Sequence, residues 1–530
     1  MPSKQITNQS QTQQPPLNNV QITIAEPPAN EICELCYVVS AQPGGTSAKM
    51  PMLPTIEEEG KLSWLRLMWR YRLQFQSMAA ASIVFVGSGM RLAWSIFDTP
   101  AGKFMNNNNT QNLMMSWFIG AALGALLAAF FVQRVTKNVA YTSSGFLLLM
   151  AGVLNLALPQ HFGAACYSSV SVGAAYGLTQ IQALVTGSEV AHKSIRGMLL
   201  SCERIFLWLG VCIQVFYTRV WYNLEPVQRG YAMHIDQLHG ILLGALGLAA
   251  VILALAHRLE SPLLLLHQER DMAVGDTLKQ LNGQSATELV RLREDCRQLH
   301  NARDWEQFVE EPEEIPGWHR LARRVLPLLK VLLLRCFATL ALSLSFNRAF
   351  LVVSWHGLEC DMNCLYWLAF AGLVGSLGGA FLVDTQGRRK LCSLSLFIAG
   401  IIIVMVGGVF EHLESVKKTF FDINLQAIAL LMLLFELIVS GGVAVPALIY
   451  TAEAFSIAHK ARCLAGILVC EQLLQLGLLL AAFNHCLTDS ILFFTIGALS
   501  FFFGLLVYML MPETRHLTLY ECLLKFKKVP

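Results

Sequence analysis

Long uncharged runs alternate with short polar turns along most of this chain. Apolar windows fall at approximately 74–95, 113–133, 139–158, 163–187, 198–219 and 236–256, then at 327–352, 364–384, 391–410, 426–451, 463–485 and 490–511. A window of about 20 residues, wound as an α-helix, crosses a hydrocarbon core of about 30 Å. Between the sixth and seventh windows lies 257–325, a charged stretch whose apolar positions fit short amphipathic helices on a membrane face rather than another span. The pattern predicts an all-α integral membrane protein, with twelve transmembrane helices in two six-helix pseudo-repeats and a cytoplasmic helical linker. The expected division is a disordered N-terminal tail at 1–72, a first bundle at 73–256, the linker at 257–325, a second bundle at 326–511 and a C-terminal tail at 512–530.

Composition agrees. Of 530 residues, 55% are hydrophobic and only 14% charged, against about a quarter charged in an ordinary soluble protein. The net charge of +3 is too small to imply a nucleic-acid partner. Lys and Arg cluster before the first span (Lys61, Arg66, Arg70, Arg72) and in alternate loops (Arg134 and Lys137; Lys193 and Arg196; Arg388 to Lys390; Lys460 and Arg462), then recur in the tail. That bias places both termini in the cytoplasm, in a multi-pass protein expected at the plasma membrane. Lys417 and Lys418 are an exception on the outer side. The first 60 or so residues are polar and show no cleavable signal. "NNNNT" in the first outer loop makes Asn108 a candidate for glycosylation. The 14 cysteines lie mostly in apolar segments; Cys33 and Cys36 form one CxxC, but with no second pair or nearby His pair it makes no metal site, and the histidines are scattered. No cofactor or enzymatic motif is read.

The two halves echo each other. "SEVAHKSIRGMLLSCERIFLWLG" from Ser188 and "AEAFSIAHKARCLAGILVCEQLLQLG" from Ala452 both run Glu, AHK, Arg, Cys-Glu and Leu-Gly. Each straddles the loop after the fourth span of its half, as a parallel repeat requires. "DTQGRRK" at 384–390 resembles the D-x-x-G-R-R/K signature of the major facilitator superfamily. "ESPLLL" at 260–265 and "PETRHLTLYE" at 512–521 are similar to elements of its sugar-porter branch, as are Glu189 with Arg196 and Gly197, and Gly173 with Gly177. The resemblance covers 73–521. It implies a solute carrier working by alternating access, with a cytoplasmic gate formed here by Glu189, Arg196, Asp384, Gly387, Arg388, Arg389, Glu453 and Arg462. At the family's spacing from Glu453 the residue is Lys460, with Arg462 two positions later. The first-half counterpart "FVQRVTKNV" departs from the pattern, with Gln133 for Asp and Thr136 for Gly.

The substrate positions depart further. Sugar porters carry a QQxSGxN segment in the seventh span; here "ALSLSFN" keeps only Asn347. Arg204 stands for a Gln in the fifth span, Glu471 and Gln472 for Asn-Trp in the eleventh, and Leu448 for a Trp in the tenth. Sugar hydroxyls need paired donors and acceptors to replace water, so hexose transport is in doubt. Charge stands there instead: Arg91, Glu203, Arg204, Arg348, Glu436 and Glu471. Intramembrane charge marks a site or a partner. One reading is a cavity lined by Arg91, Arg204, Asn347, Glu471 and Gln472 that takes an organic anion; the other is pairing between helices. The missing acid in the first span favours facilitative movement, though other spans could carry a proton site. The expected partners are a small organic solute and the bilayer; the oligomeric state is open, and a monomer is compatible. A receptor or scaffold that keeps the fold without transport is the alternative from another class.

Overall fold

The computed structural model describes residues 64–97, 107–132, 134–222, 233–257, 259–267, 270–282, 293, 296–297, 317–343, 364–416, 425–483 and 489–527. These are helical throughout, as lipid demands of a spanning chain that must bond its own backbone. Two short helices, α1 (Trp64–Arg70) and α2 (Arg72–Ser77), lead into the first six long ones: α3 (Ala79–Phe97), α4 (Asn107–Phe131), α5 (Lys137–Ala157), α6 (Phe162–Val190), α7 (Arg196–Tyr222) and α8 (Ile235–Ala256). The linker contains α9 (Pro262–His267) and α10 (Asp271–Asn282). The second half runs α11 (Gly317–Ala341), α12 (Cys364–Thr385), α13 (Arg388–Val416), α14 (Leu425–Val439), a π-helical turn (Ser440–Ala444), α15 (Val445–Glu453), α16 (Ile457–Phe483) and α17 (Asp489–Leu510), and ends in α18 (Leu519–Lys527).

Each expected span overlaps a helix, the seventh only over its described residues to Ala341, and among the described residues nine helical stretches are long and apolar enough to cross a membrane. Three details differ from expectation. Residues 64–70 are helical rather than part of a disordered tail: "WLRLMWR" is mostly apolar with two arginines, and the Arg72 guanidinium lies over the Trp69 ring at 5.2 Å. The helix that carries the start of the seventh window begins at Gly317, ten residues before it, with Pro327 inside the helix. The tenth span is not one α-helix. Pro446 has no N–H and its ring crowds the carbonyl four residues back, and the π turn just before it absorbs the mismatch.

Packing repeats between the halves. In the first, α3 lies on α7, α4 on α6 and α5 on α8; in the second, α11 lies on α16, α12 on α14 and the π turn, and α13 on α17. The halves meet where α4 lies on α16 and where α7 lies on α12. Those two contacts exchange under the same pairing of helices, so the sequence echo is a two-fold relation in space. Large apolar side chains such as Leu127, Phe130, Met150, Phe370 and Phe502 are exposed on the outside, as a lipid-facing surface requires. Small residues let backbones touch inside. A β-carbon on Gly173 would stand 2.1 Å from the Trp117 carbonyl oxygen, and one on Gly177 would stand 2.2 Å from that of Ala121. Gly177→Ala is therefore expected to push α6 off α4 and to destabilise the protein by about 1–3 kcal/mol, read as a lower thermal midpoint of the purified protein.

Candidate functional site

Buried charge collects at two depths. The first group lies where the helix ends meet at the face expected to be cytoplasmic. Asp384, at the end of α12, reaches across to the other half and accepts from the backbone N–H of Met198 at 2.9 Å, which caps the start of α7. The contact is close enough to require Gly197: a β-carbon there would stand 2.3 Å from the Asp384 Oδ1. One turn on, Arg388 faces Asp384 at 3.8 Å and donates to Glu453 Oε2 at 2.7 Å. Glu453 also takes Arg196 of the first half at 3.3 Å. One carboxylate thus holds a guanidinium from each half, and Arg196, Arg388 and Glu453 are all buried.

The segment after the last span completes this layer. Arg388 Nη1 donates to the Thr514 carbonyl at 2.6 Å and Arg196 Nη1 to the Leu517 carbonyl at 3.1 Å. Glu513 accepts from the backbone N–H groups of Arg388 and Arg389 at 3.0 and 3.1 Å, capping α13. Gly387 supplies the preceding left-handed turn, with φ at +92°. Arg389 turns outward, over the Tyr508 ring at 5.6 Å. Helix α18 seals the layer with Leu519, Cys522, Leu523 and Phe526, and the Phe526 ring packs edge-on against Tyr450.

The two-fold relation predicts a second link, and it is present in altered form. Glu189, the mate of Glu453, accepts from the Ser261 hydroxyl and lies within electrostatic reach of Lys460, the mate of Arg196. Lys460 is buried and donates to the Ser188 hydroxyl across the halves. Arg462 is exposed, so the buried cation expected from this loop is Lys460 instead: burial follows spacing, not residue type. In the first-half turn, Lys137 holds the position of Arg388 and reaches the Ser77 carbonyl at 3.4 Å. Thr136, in place of the glycine, has φ at −64°, so this turn has no left-handed residue to accommodate. Gln133 lies outside the described residues.

The second group lies deeper. Arg335 of α11 and Glu471 of α16 form a two-toothed ion pair, with Nη2 to Oε2 at 2.8 Å and Nε to Oε1 closer still. Glu203 accepts from the Tyr176 hydroxyl at 2.6 Å and pairs with its neighbour Arg204 at 3.3 Å. Arg204 is also within electrostatic reach of Glu436 and Glu471. Gln472 is buried, with its amide oxygen unbonded. Arg335 did not stand out in the sequence, though a basic residue eight positions into an apolar window was the available signal.

Arg91 does not join this group. It is held inside the first half, by Ser169 Oγ at 2.9 Å and the Ala165 carbonyl at 2.5 Å, with its guanidinium 4.2 Å from the Trp94 ring. The expected pair of arginines on one anionic solute is therefore not assembled: Arg91 is bonded to α6 and Arg204 to Glu203. Asn347 and Arg348 lie outside the described residues, and Asn108 lies in the first turn of α4.

The fold has solved relatives. The proton:xylose symporter XylE bound to 6-bromo-6-deoxy-D-glucose matches with a TM-score of 0.67 at 15% identity, over 85% of this chain and 98% of that one. An inward-open form of the xylose transporter XylE from E. coli matches with a TM-score of 0.53 at 14% identity, over 86% and 98%. A partially occluded inward-open form from E. coli gives 0.56 at 13% identity, over 84% and 98%. No curated protein sequence matches the chain. The profile described as "Sugar (and other) transporter" matches residues 99–526, well over half of the length. The chain belongs to that family of sugar and other transporters.

Proposed function

We propose that this protein moves a small organic solute across the plasma membrane by alternating access, with both termini in the cytoplasm, and that the Glu453 layer is the inner gate. The observation that carries the reading is the position of Glu453, which binds Arg388 of its own half and Arg196 of the other at the face where the halves must part. Contacts of this kind hold a face closed yet can be exchanged for water when the halves rock. The deeper group of Glu203, Arg204, Arg335 and Glu471 would border the solute path in place of the amides that a sugar needs. With Arg91 and Arg204 each engaged elsewhere, the organic-anion reading loses its pair of cations.

The test is uptake by liposomes containing the full-length protein, across radiolabelled D-glucose, D-xylose, an aliphatic dicarboxylate and tetraethylammonium. The expected result is saturable uptake of one class that falls at least tenfold in the combined Arg388→Ala, Arg389→Ala variant. Absence of all uptake, with one of the probes still raising the thermal midpoint, would instead support a receptor.

A further inference from the structure

Glu436 is the anomaly of the deep group. It sits on α14, fully buried, one turn before the π segment, and neither carboxyl oxygen has a hydrogen-bond partner among the described residues. The other two acids at this depth each have partners: Glu471 is bonded by Arg335, and Glu203 accepts from Tyr176 through Oε1 while its Oε2 stands 3.3 Å from Arg204 as an ion pair. Arg204 is the charged side chain within electrostatic reach of Glu436. The groups facing Arg204 in turn are Glu203, Tyr176, Glu471 and Glu436. On the helices packed against this stretch, the Ser376 hydroxyl of α12 meets Ser440 at 2.8 Å and the Ser395 hydroxyl of α13 abuts Gly442; neither titrates.

Among the described residues the group holds three acids and two bases, so with every member charged it carries one excess negative charge, on a carboxylate with no hydrogen-bond partner among them. An ionised carboxylate without bonds is among the most costly groups to bury, and taking a proton removes the cost. A bound organic cation would also balance the charge, but Glu436 is wholly enclosed and the nearest charged neighbour is itself a cation. Arg204 belongs to the first half and Glu436 to the second. Rocking of the halves therefore changes the distance between them, while the Glu203–Arg204 pair travels as a unit on α7.

We propose that Glu436 is a proton-binding site, occupied while the inner face is closed and emptied when it opens. On opening, the carboxyl O–H bond breaks, the proton passes to entering water, and the carboxylate left behind gains Arg204 or water as its partner. The link to solute movement rests on the transport reading above. The site supplies the titratable group that the first span lacks, and would make the carrier proton-coupled rather than facilitative.

Infrared difference spectroscopy of the full-length protein in liposomes, titrated with alkali and with no solute present, reads the site directly. The expected result is a protonated-carboxyl carbonyl band that is lost in Glu436→Gln and displaced in Glu436→Asp. In the Arg388→Ala variant, which weakens the closed face, the band should disappear at lower pH than in wild type. A band common to wild type and Glu436→Gln, or one that disappears at the same pH in Arg388→Ala, overturns the proposal. Should Glu436→Gln give no thermal transition, the displacement in Glu436→Asp decides. Because no solute is present, a failure of the transport reading appears in the uptake assay alone.

Discussion

Glu453→Gln is expected to open the inner face and to cost the closed state about 3–5 kcal/mol, the range for removing one partner of a buried ion pair. The side chain keeps its shape but loses its charge; among the described carboxylates Arg388 then keeps only Asp384, 3.8 Å away and already capping α7, and Arg196 keeps none within ion-pair distance. The chain carries its own reporter. Cys522 is buried in α18 with its Sγ 3.8 Å from the Thr514 carbonyl, and burial pushes its thiol up to about 12. Below that pH the thiol stays neutral, and a maleimide applied from the inner side should not reach it. In protein whose other cysteines are replaced by serine, Glu453→Gln should raise the Cys522 labelling rate at least tenfold and lower the thermal midpoint. Labelling and midpoint both equal to wild type would remove Glu453 from the gate.

Arg335→Ala is expected to be as severe, for a different reason. It strands the buried Glu471 carboxylate in the deep group, again at a cost of about 3–5 kcal/mol. Shape and charge separate cleanly here. A double change, Arg335→Met with Glu471→Leu, removes both charges and keeps most of the volume, and buried pairs replaced in that way commonly lose little stability. The expected pattern is a large drop in midpoint for the single variant, recovery in the double variant, and loss of uptake in both. Recovery of uptake as well would mean that the pair serves folding only.

Much of this was legible in the sequence because the membrane imposes a coarse code. Apolar length gave the spans, and the echo of Glu189 to Arg196 in Glu453 to Lys460 gave the two-fold relation. What escaped was set by partners distant in the chain. Arg335 has meaning only beside Glu471, 136 residues away on another helix. Arg91 looked like a cavity cation, but the Ser169 hydroxyl and Ala165 carbonyl that hold it are invisible to local pattern. Arg462 was preferred over Lys460 on side-chain type, whereas the helix turn decided which one points inward. The helix α11 starts at Gly317, ahead of its apolar window, because Arg320, Arg323 and Arg324 end the window without ending the helix.

The carbonyls of Thr514 and Leu517 and the carboxylate of Glu513 have a consequence for how the protein is made. All three lie just beyond the last span in the chain and are made after every spanning helix. Until that stretch has emerged, Arg196 and Arg388 lack these acceptors. The inner face can reach its closed form only after this segment emerges, so a product cut short near residue 512 would be fully inserted in the bilayer and permanently ajar.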